Sequence, residues 1–181
     1  MYRAIVLCLL PSVLHGNVVT LSPLPADVQT AELERLAGMW QWREEVVHVT
    51  VEDGAAIVAA VAWNGSSFVE RRGELTVTQG EHRSFLCVAG YDPSLPGDQF
   101  IFAQYRLLSD DHLLVWVPRI TAFESAVEQG VLATAEASTA DRLVLDTESD
   151  ALLAFLDDPL RTDVFDYENP VLLCRAGRYW K

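Results

Sequence analysis

The sequence predicts a mainly β protein, an antiparallel barrel of about eight strands with two short helices before the last strand. Three observations carry this. Apolar runs with a period of two recur between turn residues from Trp40 onward, no strand-helix-strand alternation appears, and the main helical signals fall late, between Thr121 and Pro159. Eight antiparallel strands can close on themselves and so remove their own edges. A β-sandwich, or a half-open sheet covered by the helices, is the competing architecture.

The first sixteen residues differ in kind from the rest. Met1-Tyr2-Arg3 carries one positive charge, Ala4 to Leu14 is apolar except near Pro11 and Ser12, and Gly16 ends the run. This is the pattern of a secretory signal peptide, and it is short of the roughly 20 apolar residues that span a bilayer. Leu14-His15-Gly16 also looks like the start of a bacterial lipobox, in which a lipidated Cys comes next. Asn17 stands there instead. The expectation is an exported protein of the bacterial periplasm or outer membrane whose only membrane association runs through a lipoprotein-like N-terminus. A buried N-terminal element of a cytosolic protein is the alternative.

Residues 17–30, with Pro23 and Pro25, read as a tether, and residues 31–181 as a single barrel domain. Leu33 and Leu36, three apart with Glu32 and Glu34 outward, predict one or two helical turns ending at Gly38. Trp40 and Trp42 then share one parity while Val47, Val49 and Val51 take the other, which predicts a bulge near Glu44-Glu45. Asp53-Gly54 turns into Ala55 to Trp63, a strand whose small Ala and Val residues leave interior room. Asn64-Gly65 is the strongest hairpin signal, because both residues tolerate the positive φ of a type I′ turn.

Phe68 to Thr78 follows as a strand bent at Gly73, and Gln79-Gly80-Glu81 turns into Arg83 to Ala89. Asp92 to Gly97 is a loop by composition, and Gln99 to Leu108 and Leu113 to Val117 flank a short polar turn. Thr121 and Glu124 are spaced as a capping box for a helix with Phe123, Ala126 and Val127 on its apolar stripe and Gly130 at its end. After a brief strand from Arg142 to Asp146, Thr147 and Asp150 form a weaker box. It opens a helix carrying Leu152, Phe155 and Leu156 and stopped by Pro159. Pro170 to Arg175 is the last strand and residues 177–181 an exposed end.

With 13 basic and 26 acidic residues, a net charge of −13, the chain would be repelled by nucleic acid and anionic membrane surfaces. The acid excess reads as solubility. Histidines at 15, 48, 82 and 112 have no metal-site spacing, the acidic run from Asp157 to Glu168 lacks the order of a calcium loop, and no nucleophile or phosphate motif occurs. No catalytic residue, metal or cofactor is therefore expected. Cys87 and Cys174 sit in strand-like runs, and an exported setting permits but does not require their pairing.

Gly38-Met39-Trp40 at the entry to the first strand is similar to the lipocalin and calycin signature, and Arg175 matches in position and type the late Arg that covers that Trp. The segments Gln99 to Tyr105, Leu113 to Trp116, Leu145 to Leu156 and Val164 to Asp166 resemble a family of uncharacterised bacterial envelope lipoproteins. The resemblance spans most of residues 33–176 and implies a lipocalin-like barrel and an envelope location, not a chemistry. The Thr-Asp-Tyr motif of lipocalins is missing, and two helices stand where lipocalins have one. Two functions follow as expectations. One is a non-enzymatic envelope protein binding a small apolar ligand inside the barrel, with Trp63, Phe102, Tyr105 and Trp116 as candidate lining. The other is a structural or assembly factor that meets an envelope protein and has a filled core.

Overall fold

The computed structural model describes residues 18–26, 30–43, 45–52, 54–63, 67–91, 95–139 and 141–177, without the side chains of Thr30, Ala62, Trp63, Phe68 and Val69. The expected signal peptide, Asn17, the Asn64-Gly65 turn and residues 178–181 lie outside the described residues. The elements are β1 (Val18–Thr20), α1 (Thr30–Leu36), β2 (Gly38–Trp42), β3 (Glu45–Glu52), β4 (Ala55–Trp63), β5 (Phe68–Gln79), β6 (Ser84–Ala89), β7 (Phe100–Ser109), β8 (His112–Trp116), α2 (Ile120–Glu128), β9 (Leu143–Leu145), α3 (Ser149–Asp157) and β10 (Val171–Arg175).

Strands β2 to β8 pair antiparallel in chain order, and β10 enters between β8 and β2 to close an eight-stranded barrel. Arg175 faces Trp40 across one seam and Leu172 faces Leu114 across the other. Both edges of the meander are thereby satisfied, which a sandwich would leave open. Alternation sets the two faces: Leu75 and Val77 of β5, and Ile101, Ala103 and Tyr105 of β7, point inward to one core.

Four local expectations are corrected. Trp40 to Val51 is not one bulged strand. Trp42 faces Glu45 across a tight reversal at Arg43, which has φ 54°, so a change of direction rather than an inserted residue switches the parity. The region read as a tether is built into the wall: β1 pairs antiparallel with β7 and parallel with β9, and Val18, Val19, Thr20 and Leu24 are buried. Neither capping box forms. Helix α2 starts after Arg119 and α3 after Glu148, both without a side-chain cap, and the Thr147 hydroxyl instead exchanges hydrogen bonds with the Ala133 backbone. Gly130, at φ 71°, does end α2, with the Val131 amide returning to the Ala126 carbonyl.

Helices α2 and α3 build a second core outside the barrel. Phe85, Cys87 and Phe102 from the outward face of β6 and β7 meet Phe123, Leu152, Phe155, Leu156 and Phe165 there. The layer is fastened by the β5–β6 turn. Asp157 accepts the amides of Glu81 (2.6 Å), His82 (3.1 Å) and Arg83 (2.8 Å), while the Arg83 guanidinium donates to the carbonyls of Leu156 (2.6 Å) and Arg161 (3.0 Å). A side chain at Gly80 would collide with the Asp157 carboxylate, which accounts for the glycine in this turn. Cys87 and Cys174 are both free thiols, and burial pushes the Cys87 thiol up from its ordinary range.

Candidate functional site

One end of the barrel is sealed by residues from four elements. Leu33 and Leu36 of α1 and Trp40 of β2 fill it, and the Trp40 indole N–H donates to the Leu36 carbonyl at 2.7 Å. The Arg175 guanidinium lies 4.3 Å from the Trp40 ring centroid and donates to the carbonyls of Asp110 (2.6 Å), Ala37 and Arg35 (2.7 Å). Gly38 makes this approach possible: its φ is 124°, and a Cβ there would overlap Arg175 Nη1. The Gly-x-Trp signature and its late Arg thus form one mechanical unit, a stopper that ties the α1 carbonyls, the β7–β8 turn and the last strand together.

Tyr105 reaches the same end from β7 and donates to Glu32 at 3.1 Å. Burial, together with the nearby Glu32 carboxylate, pushes its phenol far above the ordinary tyrosine value. The folded state holds the proton to higher pH than the unfolded chain does, so this contribution is complete below about pH 10 and is lost as the pH rises beyond it. Stability measured against pH should therefore fall more steeply above about pH 10 for the natural chain than for Tyr105→Phe. Equal slopes would show that Tyr105 ionises as easily folded as unfolded.

From this seal an apolar cavity of about 80 Å³ runs between Val49, Val58, Ala103 and Leu113 toward Trp42, Glu45 and Tyr91 at the other end. Glu45 is the one charged residue among those lining it. The volume is two or three waters' share of liquid, and such apolar walls leave a void dry. A shallower hollow of about 310 Å³ lies outside the barrel, between the strap Pro23 to Ala26 and the outer surface at Thr76, Cys87 and Phe100.

Of the four aromatic candidates, Phe102 is among the residues that border the cavity, whereas Tyr105 turns its side chain into the inner core at the sealed end and does not line the cavity. Phe102 points to the outer core, 5.8 Å from Phe123, and Trp116 stacks 5.8 Å from Tyr167 on the outside. Alternation explains both: each sits one residue from an inward neighbour, Ala103 and Val115 respectively. Trp63 ends β4 opposite Phe68, and its side chain lies outside the described part. The cavity lining comes mainly from aliphatic residues that the aromatic pattern did not single out. The described residues contain no group of His, Cys, Asp and Glu able to hold a metal.

Two polar side chains of the wall carry buried atoms without hydrogen-bond partners among the described residues. Arg71 pairs with inward-facing Ala60 and shares a parity with Gly73, Leu75 and Val77, and its Nη1 is buried with no hydrogen-bond partner among the described residues. Gln99, two residues ahead of Ile101, is 4% exposed, and its Oε1 is likewise buried without a partner among the described residues. Gly73 lies against the Ala89 carbonyl, Val88 and Tyr91, all of which a Cβ there would meet. An Arg one residue from Arg72 reads in sequence as surface charge, yet the alternation with Gly73, Leu75 and Val77 carried the signal. In comparison with known proteins, no family model, no curated protein and no solved structure matches this chain.

Proposed function

We propose that this is a non-enzymatic cell-envelope protein whose barrel takes up the end of a slender apolar ligand. The observation that carries the reading is the apolar cavity running inside the barrel from the Trp40 seal to Trp42 and Tyr91. The export signal read from residues 1–16 supports the envelope setting, and β1 begins at Val18, just past it. The small volume sets the ligand class: about 80 Å³ receives a methyl or short alkyl terminus, not the bulk of a drug-sized molecule, whose sites begin near about 300 Å³.

A titration with n-alkanols of increasing length tests this, read by the fluorescence of Trp40 and Trp42 in the cavity wall. Binding should be saturable and tighten roughly fourfold per methylene, the equivalent of about 0.8 kcal/mol, until the cavity is full. Ala103→Leu, which fills the space from β7, should abolish it while leaving the chain folded. An absence of saturable binding at any length would reject the reading.

The second reading, an envelope assembly or interaction factor with a filled core, is favoured by the same small volume and by an outer face that leaves Met39, Val46, Val61 and Leu172 exposed on β2, β3, β4 and β10. It predicts that no alkanol binds.

A further inference from the structure

The hollow outside the barrel is larger than the cavity inside it, about 310 Å³ against about 80 Å³, and it reaches the size at which small-molecule sites begin. Two hydroxyls hold its roof in place. Ser149 at the start of α3 donates to the Pro23 carbonyl at 2.6 Å, and Thr78 of β5 donates to the Pro25 carbonyl at 2.7 Å. The strap is thereby tied to α3 at one proline and to β5 at the next, with Leu24 buried between them. Beneath it β5 and β6 contribute the short side chains of Thr76, Cys87 and Ala89, so little rises from the sheet to fill the space. Ala89 pairs with Glu74 on one side and with Phe100 on the other. These two residues therefore flank it at one level, two strand spacings or about 10 Å apart, and both line the hollow.

The lining is one-sided in charge. Glu74 is its only charged residue, and no Lys, Arg or His is among the residues that line it. Thr76 and Ser149 already donate their hydroxyl protons, to the carbonyls of Cys87 and Pro23. The Glu74 carboxylate, exposed at the edge, has no hydrogen-bond or ion-pair partner among the described residues.

We propose that this hollow is a binding site for a compact aromatic or branched hydrocarbon group that carries an ammonium. The hydrocarbon lies under the prolines against Ala89 and Phe100, and the ammonium meets Glu74 at the edge. An anion of the same shape is turned away by Glu74 and by a net charge of −13. The site is independent of the barrel interior, because the two spaces share no lining residue.

Calorimetric titration of the whole protein with phenylethylammonium, phenylethanol and phenylpropionate tests this. The ammonium should bind saturably and about threefold tighter than the alcohol, the gain expected of an ion pair that stays in contact with water, and the carboxylate should bind more weakly than either. Glu74→Gln should bring the ammonium down to the affinity of the alcohol. Ala89→Leu fills the hollow from β6 and Ala26→Leu fills it from the strap, and each should abolish binding of all three. Ala103→Leu, which fills the interior cavity, should leave all three unchanged. The site is overturned if the ammonium does not bind saturably, if it binds no tighter than the alcohol, or if its preference survives Glu74→Gln. It is equally overturned if binding persists in both Ala89→Leu and Ala26→Leu, or if Ala103→Leu removes it.

Discussion

Replacing Arg175 with Ala should remove about 3 kcal/mol of unfolding free energy, which for a chain of this size lowers the melting temperature by roughly 6–12 °C. The figure follows from what one guanidinium holds. It donates to three backbone carbonyls, at Arg35, Ala37 and Asp110, and covers the Trp40 ring. Each charge-assisted bond is worth about 1.5–3 kcal/mol when buried, but the acceptors at Arg35 and Asp110 are open to water and recover part of that loss. The stack on Trp40 adds about 1 kcal/mol. Lys at 175 keeps the charge but not the planar fork, and one ammonium cannot serve three carbonyls around an indole, so it should restore no more than about half.

The same unit predicts a coupled effect at Gly38. Ala there must adopt a φ of 124° and displace Arg175 Nη1, so Gly38→Ala and Arg175→Ala should be far from additive, because the first already disrupts what the second removes. Chemical unfolding of the two single variants and the double variant measures this. Additive losses would mean that Gly38 and Arg175 act independently. A loss below about 0.5 kcal/mol for Arg175→Ala would mean that the carbonyls are rehydrated at no cost.

Much of the barrel is legible in the chain because long strands carry their own period. Ala55 to Trp63 is a long apolar run between turn residues, and Leu75-Thr76-Val77-Thr78 alternates with Leu75 and Val77 buried, so both are recognisable as strands before their pairing is known. Short elements are not legible in this way. Val18 to Thr20 pairs at both edges and is buried, yet three residues between an apolar run and two prolines show no periodicity, so tertiary pairing alone makes them a strand. The Thr121 and Thr147 boxes fail for a related reason: spacing allows a cap, but the backbone of Ala133 offered Thr147 a partner that sequence proximity does not reveal.

The site divides along the same line. Trp40 and Arg175 are readable because the indole, the glycine and the last-strand arginine are rare residue types in marked positions. The cavity itself is not, because most of its lining is valine and leucine and any of these could equally have been plain core. Aromatic size alone misleads here: parity sends the Phe102 ring to the outer core, so that the residue only borders the cavity, and it sends Trp116 outward against Tyr167. Strand parity outweighs side-chain size in deciding which residues face the cavity.

Phe123→Ala should cost about 3–5 kcal/mol, the largest effect expected outside the Trp40 seal. Phe123 is fully buried at the centre of the outer core, with Phe155 at 5.5 Å and Phe102 at 5.8 Å, and its removal opens a void among rings that cannot all move inward. Whether the loss stays in the helical layer or spreads to the barrel depends on how the two cores are joined. They share strands. Val18 and Phe102 belong to the outer core while Val19, Ile101 and Ala103, their chain neighbours, belong to the inner one, and the Asp157 carboxylate ties α3 to the β5–β6 turn. Loosening the outer layer therefore strains β1 and β7 directly. The expected result is a lower denaturation midpoint with an unchanged slope, the mark of one cooperative unit. A reduced slope, with the Trp40 signal persisting after the helices have melted, would show instead that the barrel folds without its outer layer.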